Sequence, residues 1–217
     1  MDVLPTDMPY RDFYSLLITT VAPRPIAWVS SMSVDGRLNL APFSFFNVLC
    51  ATPPLLGFCP GTRSRDLRES LGSGYKDTLR NVRDTGEFVV NIVTYSLREP
   101  MNLTSGDYPH SVNEFEVAGL NMRPSRCVRP PHVADSPINY ECKLFQILDF
   151  GTEEKGGSLV IGEIVSIHID DAVVKEGRVD GSKIDLIGRM GGPQYCRTTD
   201  RFNLARPEVK GRAGKQG

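Results

Sequence analysis

The sequence predicts a mainly β fold with peripheral helices, organised as an antiparallel barrel, and three observations carry that expectation. About six short β-rich runs are separated by Gly, Pro, Asn and Asp turn signals. The helical stretches between them are short and minor, which disfavours a doubly wound α/β sheet. No G-x-G-x-x-G opens a helix after a strand and no G-x-x-x-x-G-K-[ST] occurs, so neither common nucleotide-binding loop is supported.

The elements follow in chain order. Ile26–Met32 carries apolar residues at Ile26, Trp28 and Met32 with Ala27 and Val29 between them, predicting a strand buried on both faces. Asp35-Gly36 supplies a hairpin turn, because Gly accepts the positive φ such turns require. Leu40–Phe46 is neither helix-periodic nor alternating. Its small residues and hydroxyls beside aromatics suit either a backbone lying against a flat, polar-edged ligand or a plain edge strand. Lys76–Arg83 reads as a helix, with Leu79 and Val82 three apart and Gly86 as terminator. Glu87–Val93, rich in β-branched residues, reads as a strand. Tyr95–Leu103 is a second short helix interrupted or kinked at Pro100, and Asn113–Ala118 a third.

Arg123–Pro137 contains Pro124, Pro130, Pro131 and Pro137 and reads as an extended surface loop. Asn139–Ile147 alternates, with Tyr140, Cys142 and Leu144 opposite Asn139, Glu141 and Lys143, as in a half-buried strand. Leu159–Ile169 is the longest strand expected. Ile161, Val165, Ile167 and Ile169 point one way, and Gly162, Ser166 and an exposed His168 the other. Glu163 breaks the apolar phase, marking a strand end, a bulge or an interface.

With 217 residues, 40% apolar and 24% charged, the chain suits one soluble domain over residues 1–205 with a flexible tail over 206–217. A net charge of −1 gives no global field for nucleic acid or anionic membrane. Arg63, Arg65 and Arg68 are interleaved with Asp66 and Glu69, as in a solvated loop, the lesser alternative being an arginine that reaches a ligand phosphate. Cys50, Cys59, Cys127, Cys142 and Cys196 are widely spaced and odd in number, which argues against a zinc cluster or a disulfide scaffold. The N-terminus lacks a secretory signal pattern, and no apolar run approaches membrane-spanning length; a cytoplasmic protein is expected. His110, His132 and His168 show no metal or dyad spacing, and no G-x-S-x-G elbow is present.

A set of motifs in fixed order carries a resemblance. PRPIAWVSS, then DG, NLAPFSFFN and Pro53-Pro54 are followed by KDTLRN at Lys76–Asn81, EFVVNIV at Glu87–Val93, NEFEVAGL at Asn113–Leu120 and GRMGGPQYCRT at Gly188–Thr198. Over residues 10–205 the chain resembles the flavin reductase-like, FMN-binding split-barrel family; the stretch Gly61–Tyr75 is the one without a confident pairing. The resemblance implies a split β-barrel, bound FMN, NADH or NADPH as electron donor, a homodimer with flavin sites near its interface, and a flavin, oxygen, a partner oxygenase or another acceptor at the end of the chain of electrons. A flavin-binding carrier, sensor or electron-transfer protein of the same fold is the alternative.

A flavin needs a phosphate cradle, hydrogen bonds along the ring edge and a flat apolar wall. Lys76, Asp77 and Thr78 open a helix, where free N–H groups and positive potential favour a phosphate, though Asp77 and Thr78 equally suit capping. Ala41, Pro42, Phe43 and Ser44, with Asn47, are the ring-edge group, and the resemblance adds Trp28, Ser30 and Ser31 on the strand beside it. Core packing is the other role open to the phenylalanines. Arg24, held extended between Pro23 and Pro25, suits the flavin phosphate, a pyridine nucleotide or a surface ion pair. Arg189 and Tyr195 flank Gly191-Gly192, where a close ligand approach or a terminal hairpin would use the same residues. No catalytic acid or base is required, since a flavin carries its own chemistry.

Overall fold

The computed structural model describes residues 2–71, 73–151 and 156–207. The main sheet contains β1 (Ala27–Met32), β2 (Leu38–Phe43), β3 (Phe46–Ala51), β4 (Pro54–Phe58) and β5 (Glu87–Ile92). After a small hairpin of β6 (Met122–Arg123) and β7 (His132–Val133), it is completed by β8 (Ile138–Asp149) and β9 (Ser158–Ile169). The order is β2-β1-β5-β8-β9-β4-β3, and every pairing is antiparallel. Its two edges, β2 and β3, are consecutive in the chain and joined by Ser44-Phe45, so the sheet curls into a barrel split between them. Two further hairpins follow, β10 (Val174–Lys175) with β11 (Arg178–Val179) and β12 (Ile187–Arg189) with β13 (Tyr195–Arg197).

The barrel interior holds Ala27, Val29, Phe43, Phe58, Phe88 and Cys142, plugged by Leu79 and Val82 of α3 (Asp77–Thr85 in a chain order of α1, Tyr10–Thr20, and α2, Arg65–Leu71). Trp28 and Leu40 instead face a second core with Leu97, Met101, Phe115 and Val133, supplied by α4 (Arg98–Leu103), α5 (Glu114–Val117) and β7. This double cover explains why β1 is apolar in both phases. Gly36 turns at φ 88°, and Gly86 ends α3 at φ 71° with its N–H on the Val82 carbonyl.

Several expectations need correction. Asn139 and Glu141 are buried, not the wet face of β8, because the 121–137 segment lies over them as a strap. The Glu141 carboxylate accepts from the Arg126 and Cys127 N–H groups and from His132 Nε2, while Arg123 donates to Asn139 Oδ1. On β9 the core takes Val160, Gly162 and Ile164, whereas Val165 and Ile167 are exposed. The ladder shifts register between Glu141 and Cys142 and again between Leu144 and Gln146, and such bulges exchange the faces that simple alternation assigns. His168 is half-buried, its ring 5.9 Å from that of His132. Pro100 sits in the first turn of α4, where its missing N–H costs nothing; the irregularity precedes it, as a 3-10 turn at Tyr95–Leu97. Helix α1 was unforeseen, and part of the 61–75 stretch forms α2. Most of the expected tail, from 208 onward, lies outside the described residues. No described helix is long and apolar enough to cross a membrane.

A Cβ at Gly162 would fall 2.3 Å from Phe88 Cζ and 3.1 Å from Cys142 Cβ. Gly162→Ala is therefore expected to overpack the barrel and lower stability by about 1–3 kcal/mol, read as a fall in the urea midpoint.

Candidate functional site

The β2–β3 connection, the N-terminus of α3 and the β12–β13 hairpin converge on one side of the barrel. Six of the residues singled out in the sequence, Arg24, Pro42, Ser44, Lys76, Arg189 and Tyr195, line a single cleft of about 320 Å³ there. It continues through Tyr14, Pro42, Ser44 and Lys76 into a second cleft of about 620 Å³ walled by Tyr10, Leu17, Phe45 and Gly157. A narrow polar hollow containing Ala41, Arg63, Asp77, Thr78 and Glu114 adjoins both at Pro42 or Lys76.

Arg24 is nearly buried and works as a clamp. Its guanidinium donates to the carbonyls of Ile18 and Val21 at the end of α1 and of Met190 in the hairpin, and its Nε lies 3.5 Å from Ser44 Oγ. A cation suits the carbonyl end of a helix. Its backbone also exchanges two hydrogen bonds with Arg189. Arg189 lies over the Tyr195 ring at 4.5 Å and donates to the Tyr195 hydroxyl and the Gly192 carbonyl.

Lys76 caps α3 with extended backbone, and its ammonium makes no hydrogen bond or ion pair with any described residue. Asp77, buried, is held by Arg63 at 2.9 Å, Arg80 at 2.5 Å and His110 Nδ1 at 3.1 Å. Burial, then the charge of Arg80, hold His110 below the usual imidazole range against the pull of Asp77. Thr78 Oγ1 accepts from Asn39 Nδ2. Arg63 is 5% exposed, and its Nε is buried without a partner among the described residues.

The sequence profile of the flavin reductase like domain matches residues 20–182. The chain belongs to the flavin reductase-like family. An uncharacterized protein of Aquifex aeolicus is 39% identical over 192 residues, spanning 88% of this chain and 92% of its own. Among solved structures, nitrilotriacetate monooxygenase component B from Bacillus cereus superposes with a TM-score of 0.85 at 32% identity, covering 94% of this chain and 98% of that one. The 2-nitrobenzoate 2-nitroreductase of Pseudomonas fluorescens superposes at 0.83 with 35% identity, covering 99% and 100%.

Within this flavin reductase-like chain, other residues singled out from the sequence lie elsewhere. Trp28, Ser30 and Ser31 are fully buried: Trp28 Nε1 donates to Thr104 Oγ1, Ser30 Oγ to the Pro131 carbonyl, and Ser31 Oγ accepts from Asn81 Nδ2. Asn47 is exposed on β3, its Oδ1 accepting from the Val48 N–H. Phe43 packs on Phe58 in the core at 5.1 Å while lining the larger cleft. Tyr14 and Glu114 are site-lining residues that sequence reasoning missed, and Arg63 was assigned to a solvated loop, with contact to a ligand phosphate as the lesser alternative. Tyr14 sits on the unforeseen α1, and Arg63 in the unpaired 61–75 stretch. Glu114 lies inside the quoted NEFEVAGL motif, which was the available signal.

Glu114 is buried, with Oε2 accepting from the Leu40 N–H at 3.1 Å. Burial pushes its carboxyl up to about 7, with nearby Asp77 adding to the rise and the Leu40 bond and Arg63 opposing it. Its folded value is raised, so the folded state holds this proton more tightly than the unfolded chain. Stability from this group is present near pH 4.5 and is lost as pH rises toward and past 7. Glu114→Gln keeps an acceptor for Leu40 and removes that loss. The variant is expected to gain about 1–3 kcal/mol relative to the parent on moving from pH 5 to pH 8, checked by paired denaturant titrations.

Proposed function

We propose that the chain, as one domain over residues 1–205, binds FMN and passes reducing equivalents from NADH or NADPH through it to an acceptor. The observation that carries this reading is the convergence of Pro42, Ser44, Lys76 and Tyr195 on one cleft in a flavin reductase-like chain. The residues fit the group. The Lys76 ammonium, without a partner among the described residues, the first turn of α3 and the buried Arg63 Nε suit a phosphate. Backbone groups of Ala41–Phe43 and Ser44 Oγ suit the polar edge of a flat ring, and Tyr14 and Phe45, with ring centroids 6.5 Å apart, suit its apolar face. The flavin, when bound, supplies the electron-accepting chemistry.

The protein's own residues position and shield. Arg24 fixes the angle of Ser44, Lys76 neutralises the phosphate, and α1 covers the larger cleft against water. Exposed Val48, Phe145, Val165 and Ile167 on β3, β8 and β9 give an apolar surface suited to a second copy, so we assign a homodimer. The name of the Bacillus cereus relative favours a partner oxygenase as one acceptor, and that of the Pseudomonas fluorescens relative favours small oxidised compounds as another. Five free, widely spaced cysteines suit a cytoplasmic enzyme.

The deciding measurement is the visible spectrum of purified protein before and after NADH or NADPH without oxygen. Flavin bands that bleach are expected; bands that persist with both nucleotides point to a carrier reduced by another protein, and no FMN uptake on reconstitution refutes the reading. Lys76→Ala is expected to weaken FMN binding about tenfold, the loss of about 1.4 kcal/mol, in a fluorescence titration. Unchanged affinity removes the phosphate role of Lys76.

A further inference from the structure

A third cleft, of about 730 Å³, lies between α4 and the β12–β13 hairpin. It adjoins the 320 Å³ cleft, with Met101, Arg189 and Tyr195 lining both. Three guanidinium groups, of Arg98, Arg189 and Arg197, line it within a chain whose net charge is −1. The Tyr95 ring stands between two of them, with Arg98 at 4.2 Å and Arg197 at 4.3 Å. Met101, Ile187 and Pro193 add apolar surface.

The charge is only partly offset. Arg98 donates to the Tyr95 carbonyl and to Glu99, an exposed carboxylate on the same wall. Arg197 pairs with Asp185 through Nε and Nη2. Each guanidinium carries five N–H donors, so all three keep N–H groups without a partner among the described residues. Planar forks of this kind match phosphate oxygens two at a time. Two adjoining clefts, one opening at Ser44 and the other lined by arginines, with Tyr195 at their junction, fit a long ligand that is flat at one end and phosphorylated further along.

We infer that the arginine-lined cleft holds the phosphate-bearing adenosine half of the electron-donating nicotinamide nucleotide, with Arg98 and Arg197 binding its phosphates. The inference rests on the flavin reading above and adds the subsite that selects the donor. The nicotinamide end then lies in the adjoining cleft at Ser44, and the purine meets the apolar surface of Met101 and Pro193. Arg189, held against Tyr195, stands at the junction between the two halves.

The test uses FMN-loaded protein and two probes lacking nicotinamide, ADP and adenosine 2′,5′-bisphosphate, titrated by calorimetry, alongside KM for NADH and NADPH. Arg98→Gln/Arg197→Gln is expected to weaken the adenosine phosphates and raise the nucleotide KM about tenfold or more. Arg98→Gln alone, on an exposed helix face, gives a smaller change in the same direction and guards against a folding defect from the lost Asp185 pair. A larger loss for adenosine 2′,5′-bisphosphate and NADPH places the arginines on the ribose phosphate; equal losses place them on the diphosphate, and either upholds the inference. Wild-type protein that binds neither probe, or variants with unchanged Kd and KM, overturns it. FMN affinity, measured separately on every preparation, distinguishes that failure from failure of the flavin reading.

Discussion

Arg24 is the constraint on which the site depends. A guanidinium cannot shed its charge on burial, so it must find acceptors, and here desolvation lowers its pKa without neutralising it. The acceptors come from three separate places: the last turn of α1, the Met190 carbonyl of the hairpin and the Ser44 hydroxyl between β2 and β3. One cation thereby fixes the relative position of three walls that no continuous β ladder joins. Satisfying Arg24 internally also leaves Lys76 as the cation facing the clefts without a described partner. Positive charge is thus divided between a residue that builds the cleft and one that is available to a ligand.

The two buried glutamates show the same division among the anions. Burial pushes Glu141 upward, but the Arg126 and Cys127 N–H groups and His132 outweigh it, and its carboxyl ends below the usual range. That carboxylate fastens the 121–137 strap to the sheet. For Glu114 burial outweighs the hydrogen bonds from its own N–H and that of Leu40, with the like charge of Asp77 adding to the rise, and it ends near 7. Both side chains are nearly inaccessible, but desolvation weighs more heavily on Glu114, and Glu141 alone has the hydrogen bond and charge of a histidine beside it. A fully bonded carboxylate is a fastener, whereas one left on the edge of a polar hollow holds a proton that the local field can move.

The sequence made legible whatever depends on near neighbours. The double-faced burial of β1, the Asp35-Gly36 turn and the glycine that ends α3 each follow from a few adjacent residues. The β2–β3 connection and the start of α3 were recognisable because a ligand-facing backbone leaves an unusual local composition, as in Ala41–Ser44. What failed to show were relations across the chain. Nothing in Asn139–Lys143 announces that a proline-rich strap some residues upstream covers its polar face. The bulges that turn Val165 outward are set by pairing with β8 and leave the alternation of β9 looking regular. Arg24 read as a ligand contact because its close partners, the carbonyls of Ile18, Val21 and Met190, carry no side-chain signature.

The same reasoning explains why Arg98 and Arg197 drew no attention in the sequence. They lie almost a hundred residues apart; Arg98 adjoins Glu99 and looks like an ordinary surface ion pair, and Arg197 is paired with Asp185, twelve residues upstream. Only the packing of the β12–β13 hairpin beside α4 sets them on either side of Tyr95. Exposed ion pairs contribute little to stability, so two of them flanking one aromatic ring are poorly accounted for as fold-holding contacts. Placed instead in the cleft that adjoins the one holding Lys76, they give the site a direction: Arg24 and Lys76 on one side, Arg98 and Arg197 on the other, and Arg189 and Tyr195 at the junction. An asymmetric site with cations on both sides orients an elongated anion before any chemistry begins, which is the contribution a protein must make when a cofactor supplies the reaction itself.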